Sequence, residues 1–257
     1  MARPLVAGAK PLSPKTILVV PARRASTRLA DKLLLAESGQ ALLAHTLQAC
    51  LHSKLADQVI AAVDDPELAA IADTCGVQAC LTPSDLPSGS DRVWAVAKDL
   101  PEVEIVVNVQ GDEPEIDPEA IDRLIAAIRD GAEVATLAAP LAPEQIEDPA
   151  AVKVVSALNG RALYFSRAAI PHARLTGGVA PRLHVGLYAY RREALAAFAG
   201  WEPTPLEKTE GLEQLRLLEH GLSLQVVDWP RSFPGIDTRQ DYDRFLERVR
   251  DHSSPPS

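Results

Sequence analysis

Two carboxylates follow a run of apolar residues in the stretch VVNVQGDEP, residues 106–114. The valines are typical of a strand that is covered on both faces. Asp112 and Glu113 then stand directly after an amide and a glycine. Mg²⁺ prefers carboxylate and phosphate oxygens, so Asp112 is a candidate metal ligand, and Asp237 in the turn FPGIDT is a second. The alternative is that Asp112 and Glu113 are ordinary turn or helix-entry acids.

A basic segment follows the first predicted strand. PARRASTRLADK, residues 21–32, contains four cations within one turn-rich loop: Arg23, Arg24, Arg28 and Lys32. Ser26 and Thr27 lie between them. Fixed cations and backbone donors are what a triphosphate needs, and this favours anion binding over a solvated basic loop. The segment has neither a P-loop nor a dinucleotide-binding glycine pattern.

The elements that would position these residues alternate between strand and helix. Apolar runs predict strands at 16–22, 58–63, 77–81 and 104–109, and helical periodicity predicts helices at 39–53, 65–76, 90–100 and 117–131. Asp65 before Pro66 marks a helix start, and the same Asp-Pro pair recurs at 117–118. This alternation indicates an α/β fold with a mostly parallel sheet and helices on both faces. Ligands bind at the carboxyl ends of the strands in such sheets.

The second part of the chain is α+β in character. Asn159-Gly160 predicts a hairpin turn within residues 151–171. Strands are predicted at 183–191 and 222–229, and helices at 205–221 and 239–251. We therefore expect one domain over residues 16–251 with a lobe at about 150–200, a flexible N-terminal extension at 1–15 and a flexible tail at 252–257.

Composition excludes several classes of protein. The chain has 257 residues, of which 47% are hydrophobic, which is enough for one sizeable core. Its net charge of −9 argues against a general surface for nucleic acid or anionic membranes. No stretch approaches the ~20 apolar residues of a membrane span. The three cysteines show no metal-ligand or disulfide pattern, as expected of a cytoplasmic protein.

Several segments together resemble the 3-deoxy-manno-octulosonate cytidylyltransferases, the CMP-Kdo synthetases. They occur in the family's order, from about residue 16 to 249: VVPARRASTRLADKLLL, SGSDRV, VVNVQGDEPEI, AVKVV, GRALYFSRAAIP, HVGLYAYRRE, TPLEKTEGLEQLRLLEHG and GIDTRQDY. The resemblance implies a Rossmann-like nucleotidyltransferase fold with a mixed, mostly parallel sheet and a smaller α+β dimerisation lobe.

The resemblance also implies an activity. Family members transfer CMP from CTP to the anomeric hydroxyl of 3-deoxy-D-manno-octulosonate (Kdo) and release pyrophosphate. The reaction requires Mg²⁺, and its product serves lipopolysaccharide biosynthesis. We accordingly expect a cytoplasmic, Mg²⁺-dependent homodimer with CTP and Kdo as its small-molecule substrates.

Site residues follow from the resemblance, position by position. Lys32, Arg23, Asp112 and Asp237 are expected to be catalytic, with Asp112 and Asp237 as the magnesium ligands. The CTP site is expected to comprise Ala22, Arg23, Arg28, Lys32, Ser88, Gly89 and Ser90. The Kdo site is expected to comprise Gln110, Arg167, His184, Tyr188, Glu213 and Gln214.

Some departures from the family pattern keep other functions open. LADKLLL stands where the family usually has LPGKPL, and Leu86 stands where it often has a histidine. The loop at about 174–183 is short, whereas a longer family loop covers the sugar site. A cytidylyltransferase for another acid, such as 8-amino-Kdo or a phosphonate acid, therefore remains an alternative. A sugar-1-phosphate nucleotidyltransferase would show a GxGTR-type loop instead, and an inactive nucleotide-binding protein would lack a metal carboxylate or the phosphate lysine.

Overall fold

The computed structural model describes residues 15–26, 28–175 and 177–253, without the side chains of 252 and 253. Most of the predicted extension, Thr27 of the basic loop and most of the predicted tail lie outside the described residues. The strands are β1 (Thr16–Ala22), β2 (Gln58–Val63), β3 (Gln78–Leu81), β4 (Ile105–Asn108), β5 (Val134–Pro140), β6 (Lys153–Ser156), β7 (Ala162–Ser166), β8 (Arg182–Arg191) and β9 (Leu224–Asp228).

The helices cover both faces of the sheet. They are α1 (Leu42–Cys50), α2 (Pro66–Thr74), α3 (Gly89–Ala97), α4 (Pro118–Arg129), α5 (Arg192–Ala199), α6 (Pro205–Glu210), α7 (Gln214–Glu219) and α8 (Arg239–Ser253). Short 3₁₀ turns lie at Lys32–Leu34 and Pro143–Gln145. Within the described residues, no helix is both long and apolar enough to cross a membrane.

The strands described here form one mixed sheet. Its order is β3-β2-β1-β4-β8-β5-β9, and the first four of these strands are parallel to one another. β8 is antiparallel to both of its neighbours, β4 and β5, and β5 pairs with β9 in parallel. The carboxyl ends of β1, β2 and β4 therefore meet at one edge of the sheet, where such folds bind ligands.

Apolar side chains alternate between two core layers along β1. Leu18 and Val20 pack in the layer that contains Leu42 of α1, while Ile17 and Val19 pack in the layer that contains α3 and α5. Parallel strands that are buried on both faces read as continuous apolar runs. The predicted interpretation of TILVVPA as a core strand is therefore confirmed.

The Asp-Pro helix starts are also confirmed. Asp65 and Asp117 are the N-caps of α2 and α4, and each helix has proline in its first turn. Each aspartate accepts a hydrogen bond from the backbone N–H two residues later, at 2.7 and 3.0 Å. The carboxylates thus satisfy donors that the first helical turn leaves free.

Three parts of the second half differ from expectation. The single helix predicted over 205–221 is broken in two at Gly211, which has φ +64° and caps α6 in a left-handed conformation. β5 and α5 have no counterpart among the predicted elements. The sequence of β5, VATLAAP, contains three alanines and a proline, and both residue types are uncommon in strands.

Within the predicted lobe at about 150–200, only the β6–β7 hairpin lies off the main path of the sheet. β6 and β7 form the predicted hairpin through Asn159-Gly160, and Gly160 has φ +81°. The hairpin joins the sheet through β6 and β8. β8 itself lies in the middle of the main sheet, between β4 and β5.

Candidate active site

A cavity of about 440 Å³ opens beyond the carboxyl ends of β1 and β4. Most residues predicted to bind the nucleotide line it: Ala22, Arg23, Arg28, Lys32, Ser88 and Gly89. Asp112 and Asp237 also line it. The structure therefore brings the basic loop and the predicted metal carboxylates to the walls of one cavity.

Lys32 joins the two carboxylates. Its Nζ contacts Asp112 Oδ2 and lies 3.1 Å from Asp237 Oδ1. It also donates to the Ile236 carbonyl at 2.9 Å. Arg28 Nη2 pairs with the other oxygen of Asp237 at 2.9 Å. Residues that are far apart in sequence thus form one charged cluster in which two carboxylates and a carbonyl converge on a single cation.

The backbone around QGDEP explains how Asp112 is held. A Cβ at Gly111 would lie 3.0 Å from the carbonyl oxygen of Pro21, so any other residue there would push the tip of β4 away from the end of β1. The Gly111 carbonyl accepts from the buried Thr46 hydroxyl at 3.0 Å. The Asp112 carbonyl accepts from Ile236 N–H at 2.9 Å, which fixes the turn that carries Asp237.

Asp112, Asp237 and the Ile236 carbonyl fit Mg²⁺. Two carboxylates and a carbonyl are hard oxygen donors, and Mg²⁺ is typically held by one or two carboxylates together with substrate phosphates and water. Within the described residues, no group of three or more His, Cys, Asp or Glu side chains is arranged to hold a metal ion. Asp112 and Asp237 are the carboxylates that converge on one point of this cavity, and their role as metal ligands stays a prediction.

Glu113 plays a different part from Asp112. One of its carboxylate oxygens is enclosed and makes no hydrogen bond within the described part of the chain. Burial, and then repulsion from Asp112, raise the pKa of Glu113 to about 8. Of the two adjacent carboxylates, only Asp112 lines the cavity.

Arg24 differs from the other cations of the basic loop. Its guanidinium pairs with Glu67 at 2.7 Å, Asp65 at 3.2 Å and Asp31 at 3.1 Å. Its backbone N–H donates to Asp64 Oδ1 at 2.8 Å. Arg24 is one of the four cations in the basic loop but does not line the cavity. Its pairs with Asp65 and Glu67 anchor the loop to the start of α2.

Sequence reasoning missed Arg92 and Asp64. Arg92 lines the cavity described above, although only 2% of the residue is exposed. Its guanidinium contacts the Thr82 hydroxyl and lies 3.4 Å from Asp64 Oδ2. Asp64 thus connects α3 to the basic loop behind the cavity. The position of Arg92 on the helix that begins at SGS is the signal that would have found it.

A second cavity of about 320 Å³ adjoins the first. Five of the six residues predicted to contact the sugar acid line it: Gln110, His184, Tyr188, Glu213 and Gln214. The two cavities share Gly89, Gln110 and Glu213. A ligand in one cavity would therefore meet a ligand in the other beside these three residues.

Ser90 and Glu213 lie together in the second cavity. Ser90 was predicted to bind the nucleotide, but it lines the second cavity and not the first. Its hydroxyl donates to Glu213 Oε2 at 3.0 Å. Burial raises the pKa of Glu213, and the hydrogen bond from Ser90 offsets part of this increase.

Arg167 lines neither of these two cavities. Its guanidinium donates to three backbone carbonyls, those of Glu210 at 2.7 Å, Pro149 at 2.8 Å and Gly211 at 3.2 Å. The Glu210 carboxylate in turn accepts the Arg167 backbone N–H at 2.9 Å. In this structure Arg167 fastens the end of β7 to the turn between α6 and α7.

A buried ion pair supports the segment that presents Glu213. Arg216 Nε donates to Glu207 Oε2 at 2.8 Å, and the side chains of both residues are only 9% exposed. We expect Arg216→Met to lower the free energy of unfolding by about 3 kcal/mol, because it leaves a buried carboxylate without its partner. Urea denaturation measures this change. Arg239→Met, which removes an exposed pair with Glu37, is the control and should have little effect. Equal effects of the two variants would contradict the prediction.

Known proteins resemble this chain over most of its length. A cytidylyltransferase family model matches residues 17–224. The 3-deoxy-manno-octulosonate cytidylyltransferase of Rhodopirellula baltica is 46% identical over 246 residues, which cover 91% of this chain and 98% of that protein. The protein of the same name from Acidobacterium capsulatum is 45% identical over 233 residues, which cover 90% of this chain and 94% of that protein. This chain belongs to the 3-deoxy-manno-octulosonate cytidylyltransferase family.

Solved structures agree with membership of the 3-deoxy-manno-octulosonate cytidylyltransferase family. A CMP:2-keto-3-deoxy-manno-octonic acid synthetase complexed with CTP has a TM-score of 0.89 and 33% identity, and the match covers 93% of this chain and 99% of that one. The 4-diphosphocytidyl-2C-methyl-D-erythritol synthase of Anaerococcus prevotii, at TM-score 0.63 and 14% identity, shares the fold alone. The predicted family and the mixed α/β fold are confirmed, while the roles of individual site residues stay predictions.

Proposed function

We propose that this protein transfers CMP from CTP to Kdo and releases pyrophosphate, with Mg²⁺ as its cofactor. The observation that carries the proposal is the pair of adjoining cavities. One is lined by Arg23, Arg28 and Lys32, and the other is lined by polar and aromatic side chains that carry no cation. Two substrates that react with each other must be held side by side, and the residues shared between the cavities mark where they would meet.

The larger cavity supplies the electrostatics for a triphosphate. Cations at its wall offset the charge of the phosphates, and this charge redistributes as pyrophosphate leaves. Lys32 is the most enclosed of the loop cations, since its side chain is 14% exposed against 66% for Arg28. We assign Lys32 to the reacting phosphates and Arg23 and Arg28 to the outer ones.

Asp112 and Asp237 would hold the magnesium ion. When bound, Mg²⁺ neutralises phosphate charge and lowers the pKa of a hydroxyl that attacks beside it. In this structure the ammonium of Lys32 lies between the same two carboxylates. We therefore propose that Lys32 exchanges these carboxylates for phosphate oxygens when CTP and the metal enter.

The second cavity would hold the sugar acid. Gln110 and Glu213 stand at the border with the first cavity, so they are placed to orient the attacking hydroxyl. His184 and Tyr188 line the inner part. Buried polar groups that match the hydroxyls of one sugar reject a sugar that leaves them unpaired, and this gives specificity. The reaction needs no covalent intermediate, because direct attack on the α-phosphorus displaces pyrophosphate.

We further propose that the protein works in the cytoplasm, for lipopolysaccharide biosynthesis, as a homodimer. Cys50, Cys75 and Cys80 are free thiols, which suits a reducing compartment. Large apolar side chains are exposed on and beside the β6–β7 hairpin: Leu158, Leu163, Leu175 and Val179. Exposed apolar side chains of this size suit a contact with a second copy, and sedimentation velocity gives the mass that tests it.

Pyrophosphate release tests the proposed reaction. The assay contains Mg²⁺ and CTP with and without Kdo, and ATP, GTP and UTP serve as nucleotide controls. We expect release that depends on both CTP and Kdo. Parallel reactions with 8-amino-Kdo and a phosphonate acid test the alternatives that the short loop at about 174–183 raises. Release with one of these acids and none with Kdo would reassign the acceptor, and binding of CTP without release for any acid would overturn the proposal.

A further inference from the structure

We infer that Thr136 is a positioning residue for the second cavity: its hydroxyl holds His184 as the tautomer with the proton on Nε2, so that Nδ1 serves as a hydrogen-bond acceptor for a substrate hydroxyl. The inference rests on the proposed function in taking the ligand of this cavity to be a sugar acid. Its first part, the tautomer, concerns the protein alone.

Thr136 is fully buried at an irregularity of the sheet. The register between β5 and β8 shifts between Thr136, which pairs with Tyr188, and Leu137, which pairs with Val185. The shift lets the Thr136 hydroxyl reach two backbone carbonyls of β8, Leu187 at 2.9 Å and Val185 at 3.2 Å. The same oxygen lies 3.1 Å from His184 Nε2.

The distances and the proton count together assign the direction of these hydrogen bonds. A threonine hydroxyl carries one proton, and carbonyl oxygens can only accept. The Leu187 carbonyl, at 2.9 Å, is the closest of the three groups around this hydroxyl, so we assign the Thr136 proton to β8 and its lone pairs to His184. A favourable contact then requires that Nε2 carry the imidazole proton. The Tyr188 hydroxyl lies 3.0 Å from the same nitrogen and could donate to it only if Nε2 were unprotonated, an arrangement that would set the lone pairs of Nε2 against those of Thr136.

The surroundings keep the ring neutral and oriented. Burial lowers the pKa of His184 to about 3, so the imidazole has one donor and one acceptor at working pH. The ring packs edge-on against buried Phe165 at 4.9 Å and beside Tyr188 at 5.5 Å, measured between ring centroids. Nδ1 makes no hydrogen bond within the described part of the chain. Because His184 lines the second cavity, Nδ1 is the nitrogen that remains for a ligand.

An acceptor at this point selects among ligands. A neutral Nδ1 accepts from a sugar hydroxyl, whereas an ether or keto oxygen at the same place would meet it with lone pairs only. Thr136 thereby affects the specificity of the acceptor site without contacting the substrate. None of this applies to the nucleotide cavity, whose lining does not include His184.

The tautomer is measured directly by ¹H–¹⁵N correlation NMR of the full chain labelled with ¹⁵N-histidine. The spectrum of His184→Gln identifies the signals of His184 among the six histidines. We expect wild-type His184 to show a protonated Nε2 and an unprotonated Nδ1 across pH 6 to 8. A protonated Nδ1 in the wild type would overturn the inference, whatever the variants do.

Two substitutions test the role of the hydroxyl. Thr136→Val keeps the shape and removes the hydroxyl, while Thr136→Ser keeps the hydroxyl. We expect Thr136→Val to change the His184 tautomer and to raise KM for Kdo about tenfold, with KM for CTP within about twofold of wild type. Thr136→Ser should restore both properties. A folded Thr136→Val with the wild-type tautomer and the wild-type KM for Kdo would overturn the inference.

The failure of the inference is distinguishable from failure of the proposed function. A wild-type protein that released no pyrophosphate with Kdo would count against the function, while the NMR measurement would still decide the tautomer. If Thr136→Val does not fold, Thr136→Ala replaces it. A purely structural role for Thr136 would lower the stability of these variants and leave KM for Kdo and KM for CTP equally affected. That outcome too would overturn the inference.

Discussion

Asp112→Asn is expected to lower the turnover number with saturating CTP, Kdo and Mg²⁺ by about 100-fold to 1,000-fold. Asp237→Asn is expected to have an effect of the same order. Each substitution keeps the size of the side chain and removes the negative charge that attracts a divalent cation. Both carboxylates converge on one point at the cavity wall, so losing either should leave the metal held mainly by its phosphate ligands.

Magnesium titration separates loss of the metal from loss of the fold. In both variants the Mg²⁺ concentration at half-maximal turnover should rise, and thermal unfolding should show that the protein remains folded. Asp85→Asn is the matched control, since Asp85 is exposed next to Leu86 at the rim of the same cavity but does not line it. Near-normal turnover of either Asp112→Asn or Asp237→Asn at low Mg²⁺ would show that the metal assignment is wrong.

Lys32→Met is expected to lower the turnover number by a similar factor, about 100-fold or more. Methionine keeps an unbranched chain and removes the ammonium. The reacting phosphates would then lose the most enclosed of the loop cations. Pyrophosphate release under saturating substrates measures the loss, and Lys98→Met, a change at an exposed lysine, is the control.

The same variant should also change how the protein responds to metal alone. In this structure the Lys32 ammonium lies between Asp112 and Asp237, so it competes with any cation for these carboxylates. Without CTP, Mg²⁺ should therefore raise the melting temperature of Lys32→Met more than that of wild type. An identical response to Mg²⁺, or normal turnover, would contradict the place of Lys32 in the cluster.

Much of the fold was predictable because its signals are local. Asp65 caps α2 through a backbone N–H two residues away, and Gly160 supplies the positive φ that the hairpin turn needs. β1 and β4 read as buried strands from their apolar runs alone. The helix predicted over 205–221 failed because periodicity is continuous across Gly211, whereas the backbone there turns left-handed.

The candidate site was predictable only in part. The resemblance to a family pointed to Lys32, Asp112 and Asp237, and the structure brings them into contact. The resemblance could not show that Arg24 pairs with Asp65, which lies 41 positions later in the chain. Nor could it show that Arg167 donates to backbone carbonyls 43 and 44 positions away. A charged residue looks the same in sequence whether it faces a ligand or a partner in the fold.

Thr136 shows the same limit for an uncharged residue. Its sequence context, VATLAAP, contains nothing that suggests a link to His184, which lies 48 positions later. Only the irregular pairing of β5 with β8 brings the hydroxyl beside the imidazole. The sequence by itself determined most of the strands, the Asp-Pro helix starts and the set of residues with suitable chemistry, because these depend on neighbours along the chain. The tertiary structure decided which of those side chains face the cavities, because hydrogen bonds and ion pairs between distant segments determine where each polar group points.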